Sequence, residues 1–351
     1  MTPPTRTTVA LHGAGMIAMA HGASARLLGL DLVAVASRTS QRAEKVAGTF
    51  GTVAATYDAL PGGADVVVVA TPPQCHADDA IRLLDAGAAV LVEKPLCRTL
   101  DEADRMVAAS ERNGGRLLYG ENLAYAPVIT TMVGLAPRVG LPTDLEVRSL
   151  QGLPTWGAFT TDEWGGGALF DLGVHPLAVA MLLANAAGLG KVAAVSATLR
   201  GGAGHRSDEH ADVRLHFASG FRARVVASWQ AGPEPVWDAQ LAGELGVVRA
   251  EIFPAPTLEH NGEPVQLPVP MGAMPLLEQL GYAPQLQALV DDTAAHRIPV
   301  MSAAFGREVV HVVLAAYTSA GGATGGRDGA PVALPFTGAR DRTPLQLWRG
   351  N

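Results

Sequence analysis

Lysine is almost absent from this 351-residue chain: Lys45, Lys94 and Lys191 stand against 23 arginines. With 40 glycines and 24 prolines, this skew fits a codon bias toward Arg, Ala, Gly and Pro. Under such a bias each lysine raises the question of why arginine does not serve: Lys45, on a predicted exposed helix, and Lys191, at a turn, are positions where arginine could, which leaves Lys94. Cysteine is scarcer still, with only Cys75 and Cys97, which excludes a disulfide framework or a four-thiolate zinc site and suits a reducing compartment. The cytoplasm is the expected location. No run of basic residues accompanies the net charge of −7, so the electrostatic footprint of a nucleic-acid binder is missing. No apolar run reaches transmembrane length: Ala64–Ala70 is too short, and Gly173–Gly190 carries His175, Pro176 and Asn185. Arg6 followed by Val9–Ala25 loosely imitates a signal peptide, but His12, Gly13, Gly15, His21 and Gly22 interrupt it. A soluble protein without a membrane partner is expected.

A chain of 351 residues has room for two domains, each with its own core. The first 122 residues alternate short β-branched runs with segments of helical period, the pattern of parallel βαβ units. Strands are predicted at Thr8–Leu11, Leu32–Ala36, Val66–Ala70, Ala89–Val92 and Leu117–Tyr119. Helices are predicted near Ala18–Leu28, Gln41–Phe50, Cys75–Ala86 and Leu100–Asn113. Val66–Val69 shows no alternation, as a strand covered on both faces should.

Beyond about residue 145 the texture becomes period-2 alternation bounded by turns. Val213, Leu215 and Phe217 face one way and Arg214 and His216 the other; the pattern resumes after Ala218-Ser219-Gly220 and predicts an antiparallel hairpin with one wet face. Further strands are predicted at Val192–Leu199, Trp237–Leu241, Val247–Ile252 and Pro331–Leu334, with a hairpin turning at Asn261-Gly262. Helical patterns return at Gly173–Ala187, Leu276–His296 and Ser302–Ser319, and Gly321–Gly329 is low in complexity. The expected fold is therefore an α/β Rossmann domain with a doubly wound parallel sheet over residues 1–122, followed over residues 123–351 by an α+β domain with a mostly antiparallel open sheet.

Gly13-Ala14-Gly15-Met16-Ile17-Ala18 falls where the first strand gives way to the first helix. In this G-x-G-x-x-G/A arrangement the first glycine makes the turn, the second lets backbone approach a pyrophosphate, and the third small residue allows close helix–strand packing. Gly13, Gly15, Met16 and Ile17 are thus the expected pyrophosphate contacts. At the end of the second strand, where an acidic residue would accept a ribose 2′-hydroxyl, the chain has Ser37-Arg38. Serine can hydrogen-bond a 2′-phosphate and arginine can pair with it, which points to NADP(H) with NAD(H) as the alternative cofactor; an arginine opening a solvated turn is the competing reading.

Glu93-Lys94-Pro95 closes an apolar run at the carboxyl end of a predicted strand, where open α/β sheets place ligands. Far downstream, Gly165-Gly166-Gly167-Ala168-Leu169-Phe170-Asp171-Leu172-Gly173-Val174-His175-Pro176 puts Asp171 and His175 four apart, on one face if the segment is a single helix. Moving a hydride from a secondary alcohol needs a base for the hydroxyl proton, and His175 titrates in the useful range. Asp171 could hydrogen-bond substrate and tune the histidine. Lys94 could hold a substrate hydroxyl or the developing alkoxide by its compact charge, or relay the proton if burial lowers its pKa. The competing readings are a metal-binding Asp171/His175 pair, for which no third ligand is evident, and a core or helix-capping His175.

The glycine turn, Thr71-Pro72 with His76 behind it, Glu93-Lys94-Pro95 and the Asp171/His175 motif, in this order and spacing, resemble the Gfo/Idh/MocA oxidoreductases across nearly the whole chain. The resemblance implies a nicotinamide cofactor, a sugar, cyclitol or related polyhydroxy substrate, and Lys94 and His175 as the catalytic pair with Asp171. It also implies a homodimer or homotetramer formed through the second domain's sheet, and no metal. Thr71, Pro72, His76, Glu93, Lys94 and Asn122 become expected cofactor neighbours, Glu93 through the nicotinamide ribose; for His76 a structural role fits equally. Many relatives have Asn-x-Arg-aromatic-x-Pro where this chain has Asn122-Leu123-Ala124-Tyr125-Ala126-Pro127, so Ala124 replaces an arginine. Tyr125, Trp156 and Trp164 could line a substrate wall, with core packing as the alternative. His205, His210, His216, His260, His296 and His311 are read as surface or core residues. The family also contains glycosidases that oxidise transiently with NAD, and sugar-responsive regulators that bind a dinucleotide without turnover; both remain alternatives.

Overall fold

The computed structural model describes residues 6–58, 60, 63–268, 270, 274–322 and 329–350. The chain opens with β1 (Thr8–His12), α1 (Met16–Leu27), β2 (Asp31–Ala36), α2 (Ser40–Phe50), β3 (Val53–Ala55) and β4 (Val66–Val69). It continues through α3 (Pro73–Asp85), β5 (Ala89–Glu93), α4 (Leu100–Arg112) and β6 (Leu117–Gly120). The strands form one parallel sheet in the order β3-β2-β1-β4-β5-β6, the doubly wound order with its switch point between β1 and β4. β4 and β5 are buried at every position, which explains their unbroken apolar sequence. The expected strands and helices are all present. β3 was not anticipated, because three residues are too few to display a period.

A short 3₁₀ turn at Asn122–Tyr125 leads into α5 (Pro127–Leu135), β7 (Pro142–Leu150), α6 (Ala168–Asp171) and α7 (Val174–Ala186). Then follow β8 (Val192–Gly201), β9 (Asp208–Phe217), β10 (Arg222–Ser228), β11 (Val236–Gly243), β12 (Gly246–Phe253), β13 (Thr257–His260) and β14 (Glu263–Pro264). The predicted helix Leu276–His296 is instead two, α8 (Pro275–Gln279) and α9 (Tyr282–Ala294), divided at Gly281 with φ 84°. The chain ends with α10 (Ala303–Gly321), β15 (Val332–Ala333) and α11 (Pro344–Arg349), the last unforeseen. Of the low-complexity stretch Gly321–Gly329, residues 323–328 lie outside the described residues.

Two compact units result. One comprises Met1–Cys97, Glu102–Tyr125 and Pro270–Arg307; the other Arg98–Asp101, Ala126–Val269 and Glu308–Asn351. The expected boundary after residue 122 lies near the crossing at Tyr125/Ala126, but the chain returns to the first unit for α8 and α9, and α9 packs on α1 there.

The second unit is built on a nine-stranded sheet, β14-β13-β12-β11-β7-β10-β9-β8-β15. All neighbours are antiparallel except β7 and β10. Val213, Leu215, Val225 and Ala227 are fully buried on the face that packs against α6 and α7. On the opposite face Arg224 bonds both Asp212 (2.6 Å) and Glu146 (2.8 Å), and Arg148 grips Asp238 with two nitrogens. These half-exposed pairs contribute little individually but lock the strand register. Beside them a shallow cavity of about 330 Å³ is lined by Arg148, Arg200, His210 and Arg224. Among the described residues no helix is long and apolar enough to cross a membrane.

Candidate active site

The end of the parallel sheet built from the carboxyl termini of β1, β4 and β5 gathers most of the expected cofactor residues. Gly13 has φ +130°, and a Cβ there would stand 2.4 Å from the Ala70 carbonyl oxygen, so only glycine allows β1 to turn this closely against β4. A Cβ on Gly15 would meet nothing within 4 Å. The 12-residue helix α1 begins at Met16 with no side-chain cap on its first N–H groups. Unsatisfied amides, helix dipole and an open approach fit a pyrophosphate. Met16 is largely exposed and Ile17 half-buried beside them.

At the end of β2, Ser37 is buried and its hydroxyl accepts the Thr39 N–H at 3.4 Å, while Arg38 is exposed. His12, the residue before the glycine turn, is fully buried, with Tyr57 against its ring at 4.2 Å between centroids. Its Nε2 lies 3.0 Å from Asp79 Oδ1, and the other Asp79 oxygen accepts the Thr71 hydroxyl at 2.9 Å. Burial would raise the Asp79 carboxyl, but His12, Thr71 and Arg82 outweigh it and hold the group below its usual value.

His76, buried on α3, sets its ring nitrogens against the carbonyls of Thr71 (2.7 Å) and Pro95 (2.9 Å). Burial pulls its pKa down, against these carbonyls, which favour the charged ring. It therefore braces the Thr71-Pro72 turn against Glu93-Lys94-Pro95. Glu93 is also buried: its Oε1 accepts from His21 Nε2 at 2.6 Å and its Oε2 from the Lys94 backbone N–H at 3.0 Å. Lys94, one residue beyond β5, is half-buried. Asn122 donates its Nδ2 to the Leu280 carbonyl at 2.7 Å. Ala124 and Tyr125 are half-buried, and burial pushes the Tyr125 phenol up to about 12.

In the second unit, Asp171 and His175 do not share one helix as expected. Asp171 is the last residue of α6 and His175 the second of α7, with Leu172-Gly173 between. Both are nearly buried, and Gly173 keeps right-handed dihedrals, so the chain turns without reversing. The glycines ahead of α6 permit a tight approach: a Cβ on Gly167 would stand 2.1 Å from the Asp208 carbonyl oxygen. The Gly167 N–H donates to Tyr317 Oη at 3.0 Å, the Leu169 N–H to Asp208 Oδ2 at 2.8 Å, and Tyr317 donates to Asp208 Oδ1. Burial raises the Asp208 pKa against these donors.

The His175 ring lies 5.5 Å from that of Trp237, tilted by 33°. Trp229 packs with Ala168 and Leu172, and Phe159 and Trp237 pack against that cluster. Trp164 meets Phe159 edge-on at 4.9 Å, and Trp156, 61% exposed, extends the row. The indole N–H groups of Trp164, Trp229 and Trp237 are buried with no hydrogen-bond partner among the described residues. Within that set no three His, Cys, Asp or Glu side chains cluster to hold a metal ion.

Sequence reasoning did not reach His12, His21, Asp79, Asp208, Tyr317 or Trp229. Each works through a partner distant in the chain, and the only local signal was a polar residue inside an apolar run, as with His21 in α1.

Residues 7–121 match the family model described as the oxidoreductase family, NAD-binding Rossmann fold, and residues 136–249 match the GFO/IDH/MocA C-terminal domain. The putative UDP-kanosamine synthase oxidoreductase subunit of Amycolatopsis mediterranei (strain S699) is 30% identical over 339 residues, covering 84% of this chain and 90% of that protein. The inositol 2-dehydrogenase of Rhizobium meliloti (strain 1021) is 27% identical over 268 residues, 75% of this chain and 78% of its own. Among solved structures, GenD2 from gentamicin A biosynthesis in complex with NAD superimposes with a TM-score of 0.79 at 26% identity, covering 93% of this chain and 98% of that one. With its glycine turn, Glu93-Lys94-Pro95 and Asp171/His175 arranged on the matching fold, the chain belongs to the Gfo/Idh/MocA family of nicotinamide-dinucleotide-dependent oxidoreductases.

Proposed function

We propose that the protein is an NADP(H)-preferring dehydrogenase or reductase that interconverts a secondary alcohol and a ketone on a sugar, cyclitol or related polyhydroxy compound. One observation carries this reading: an open helix N-terminus behind Gly13 and Gly15, with Lys94 at the carboxyl end of β5 in the same parallel sheet. A relative named for UDP-kanosamine synthesis and another named as an inositol dehydrogenase support the substrate class.

Gly13, Gly15, Met16 and Ile17 bind the pyrophosphate, Ser37 and Arg38 the 2′-phosphate, and Thr71, Pro72, His76, Glu93 and Asn122 frame the remaining cofactor contacts. When bound, the nicotinamide supplies hydride transfer. His175 takes the substrate hydroxyl proton during oxidation and returns it during reduction. Asp171 orients the hydroxyl and tunes the histidine, and the Lys94 ammonium stabilises negative charge on the reacting oxygen. Tyr125, Trp156 and Trp164 contact substrate, the indoles offering an apolar face for a sugar ring. Two or four copies associate through the charged face of the nine-stranded sheet, in the cytoplasm. Absorbance at the reduced-nicotinamide band, followed with NADP and with NAD across a panel of sugars and cyclitols, tests the reading. Turnover on at least one member with NADP favoured is expected; dinucleotide binding without turnover across the panel would overturn it.

A further inference from the structure

We propose that His21 is a positioning residue for Lys94, acting through the Glu93 carboxylate. The proposal rests on the role given to Lys94 above. Glu93 ends β5 with its side chain folded back into the protein, 6% exposed. A carboxylate only accepts, so His21 Nε2 carries the proton of the 2.6 Å bond to Oε1. Oε2 accepts the backbone N–H of Lys94 at 3.0 Å. The hydrogen-bonded chain from α1 therefore ends on the peptide group from which the lysine side chain grows. On the other side of Lys94, His76 holds the Pro95 carbonyl at 2.9 Å. One buried imidazole thus acts through Glu93 on the Lys94 peptide N–H, and a second meets the peptide carbonyl one residue beyond Lys94.

The His21 ring is itself confined, because Tyr282 of α9 meets it edge-on at 5.8 Å and 88°. The other titratable groups facing this carboxylate are Lys94 beside it, His76 on α3, Tyr119 on β6 and Tyr282 on α9. Burial would drive the Glu93 carboxyl up, and the bond and charge of His21, with Lys94, reverse that and hold it ionised. Both carboxylate oxygens are engaged inside the protein, which assigns Glu93 first to shaping the Lys94 turn and only then to any contact with the cofactor ribose. An error of about 1 Å in a reacting group costs on the order of 100-fold in rate, so a residue fixing the base of Lys94 matters without touching substrate.

The scarcity of lysine makes the test direct. Reductive ¹³C-methylation of the intact protein gives three dimethyl-lysine signals, and Lys94→Arg identifies the one from Lys94. His21→Met removes the donor while keeping the volume; His21→Gln retains an amide N–H that can reach Glu93. In His21→Met the Lys94 signal and its titration are expected to move while those of Lys45 and Lys191 stay. Turnover should fall at least about tenfold, with dinucleotide affinity within about threefold of wild type. His21→Gln should recover most of both changes. If His21→Met does not fold, Glu93→Gln is read by the shift and titration of the Lys94 signal alone, because Glu93 is also assigned a cofactor contact. An unmoved Lys94 signal, or a loss confined to dinucleotide affinity, would overturn the proposal. A moved signal with unchanged turnover would support the positioning of Lys94 and overturn its catalytic role instead.

Discussion

His12 and Asp79 meet at 3.0 Å immediately behind the glycine turn, joining the last residue of β1 to α3. The same carboxylate holds the Thr71 hydroxyl, so one acidic side chain ties the strand before the glycine turn, the proposed pyrophosphate site, to the loop beside it. Because the folded-state pKa of Asp79 is depressed, its stabilising contribution is fully present above the unfolded-state value of about 3.9 and is lost as pH falls through the lower folded-state value. Asp79→Asn is expected to cost about 1–3 kcal/mol in urea unfolding at pH 7, with the difference from wild type shrinking below about pH 4. Dinucleotide titration should show weaker binding in the variant. Equal unfolding midpoints at pH 7 would show that the contact carries no weight.

Tyr317 and Asp208 do for the second unit what Asp79 does for the first, since their bonds secure Gly167 and Leu169 at the start of the helix ending in Asp171. Tyr317→Phe leaves the buried Gly167 N–H without its partner and is expected to cost about 1–3 kcal/mol. Asp208 has a raised folded-state pKa, so its protonated form favours folding and stability declines as pH rises from the unfolded-state value through the folded one. Removing the Tyr317 donor steepens that decline. The variant's deficit in thermal unfolding should therefore be larger at pH 7 than at pH 4.5; a deficit that grew toward acid would contradict the assignment.

The parallel sheet was legible because strands buried on both faces read as unbroken apolar runs, Val66–Val69 above all, and because glycine spacing marks the first turn. Lys94 stood out through the rarity of its kind. β3 was invisible because three residues carry no period, and the split between α8 and α9 because Gly281 sits inside an otherwise helical pattern. The break between Asp171 and His175 escaped notice because an i,i+4 spacing survives when a helix stops and restarts at right-handed dihedrals. The pairs His21–Glu93 and Tyr317–Asp208 lie 72 and 109 residues apart, and no local spacing announces them.

Arg38 is exposed at the end of β2, beside the buried Ser37, with no carboxylate in the Ser37-Arg38 turn to repel a 2′-phosphate. Arg38→Ala should weaken NADPH binding by roughly 10-fold or more while changing NADH binding by less than about threefold, since a charge-assisted bond to phosphate contributes about 1.5–3 kcal/mol. Fluorescence titration with both reduced cofactors reads the difference. Equal effects on the two would reduce Arg38 to a residue of a solvated turn.

Lys94 and His175 are assigned different tasks, and their variants should differ accordingly. Lys94→Ala removes a fixed positive charge from the developing oxyanion and should lower kcat about 100- to 1,000-fold at every pH tested. Lys94→Arg should recover little, because a broad planar guanidinium on a three-methylene stem cannot place its donors where the compact ammonium stood. His175→Ala removes the proton acceptor and should lower kcat of alcohol oxidation about 100-fold or more. Small buffer bases should partly restore the His175→Ala activity and leave Lys94→Ala unchanged, since a missing proton acceptor can be replaced from solution and a missing fixed charge cannot. Near-wild-type turnover in either alanine variant, or rescue of both by the same buffers, would break the division of labour.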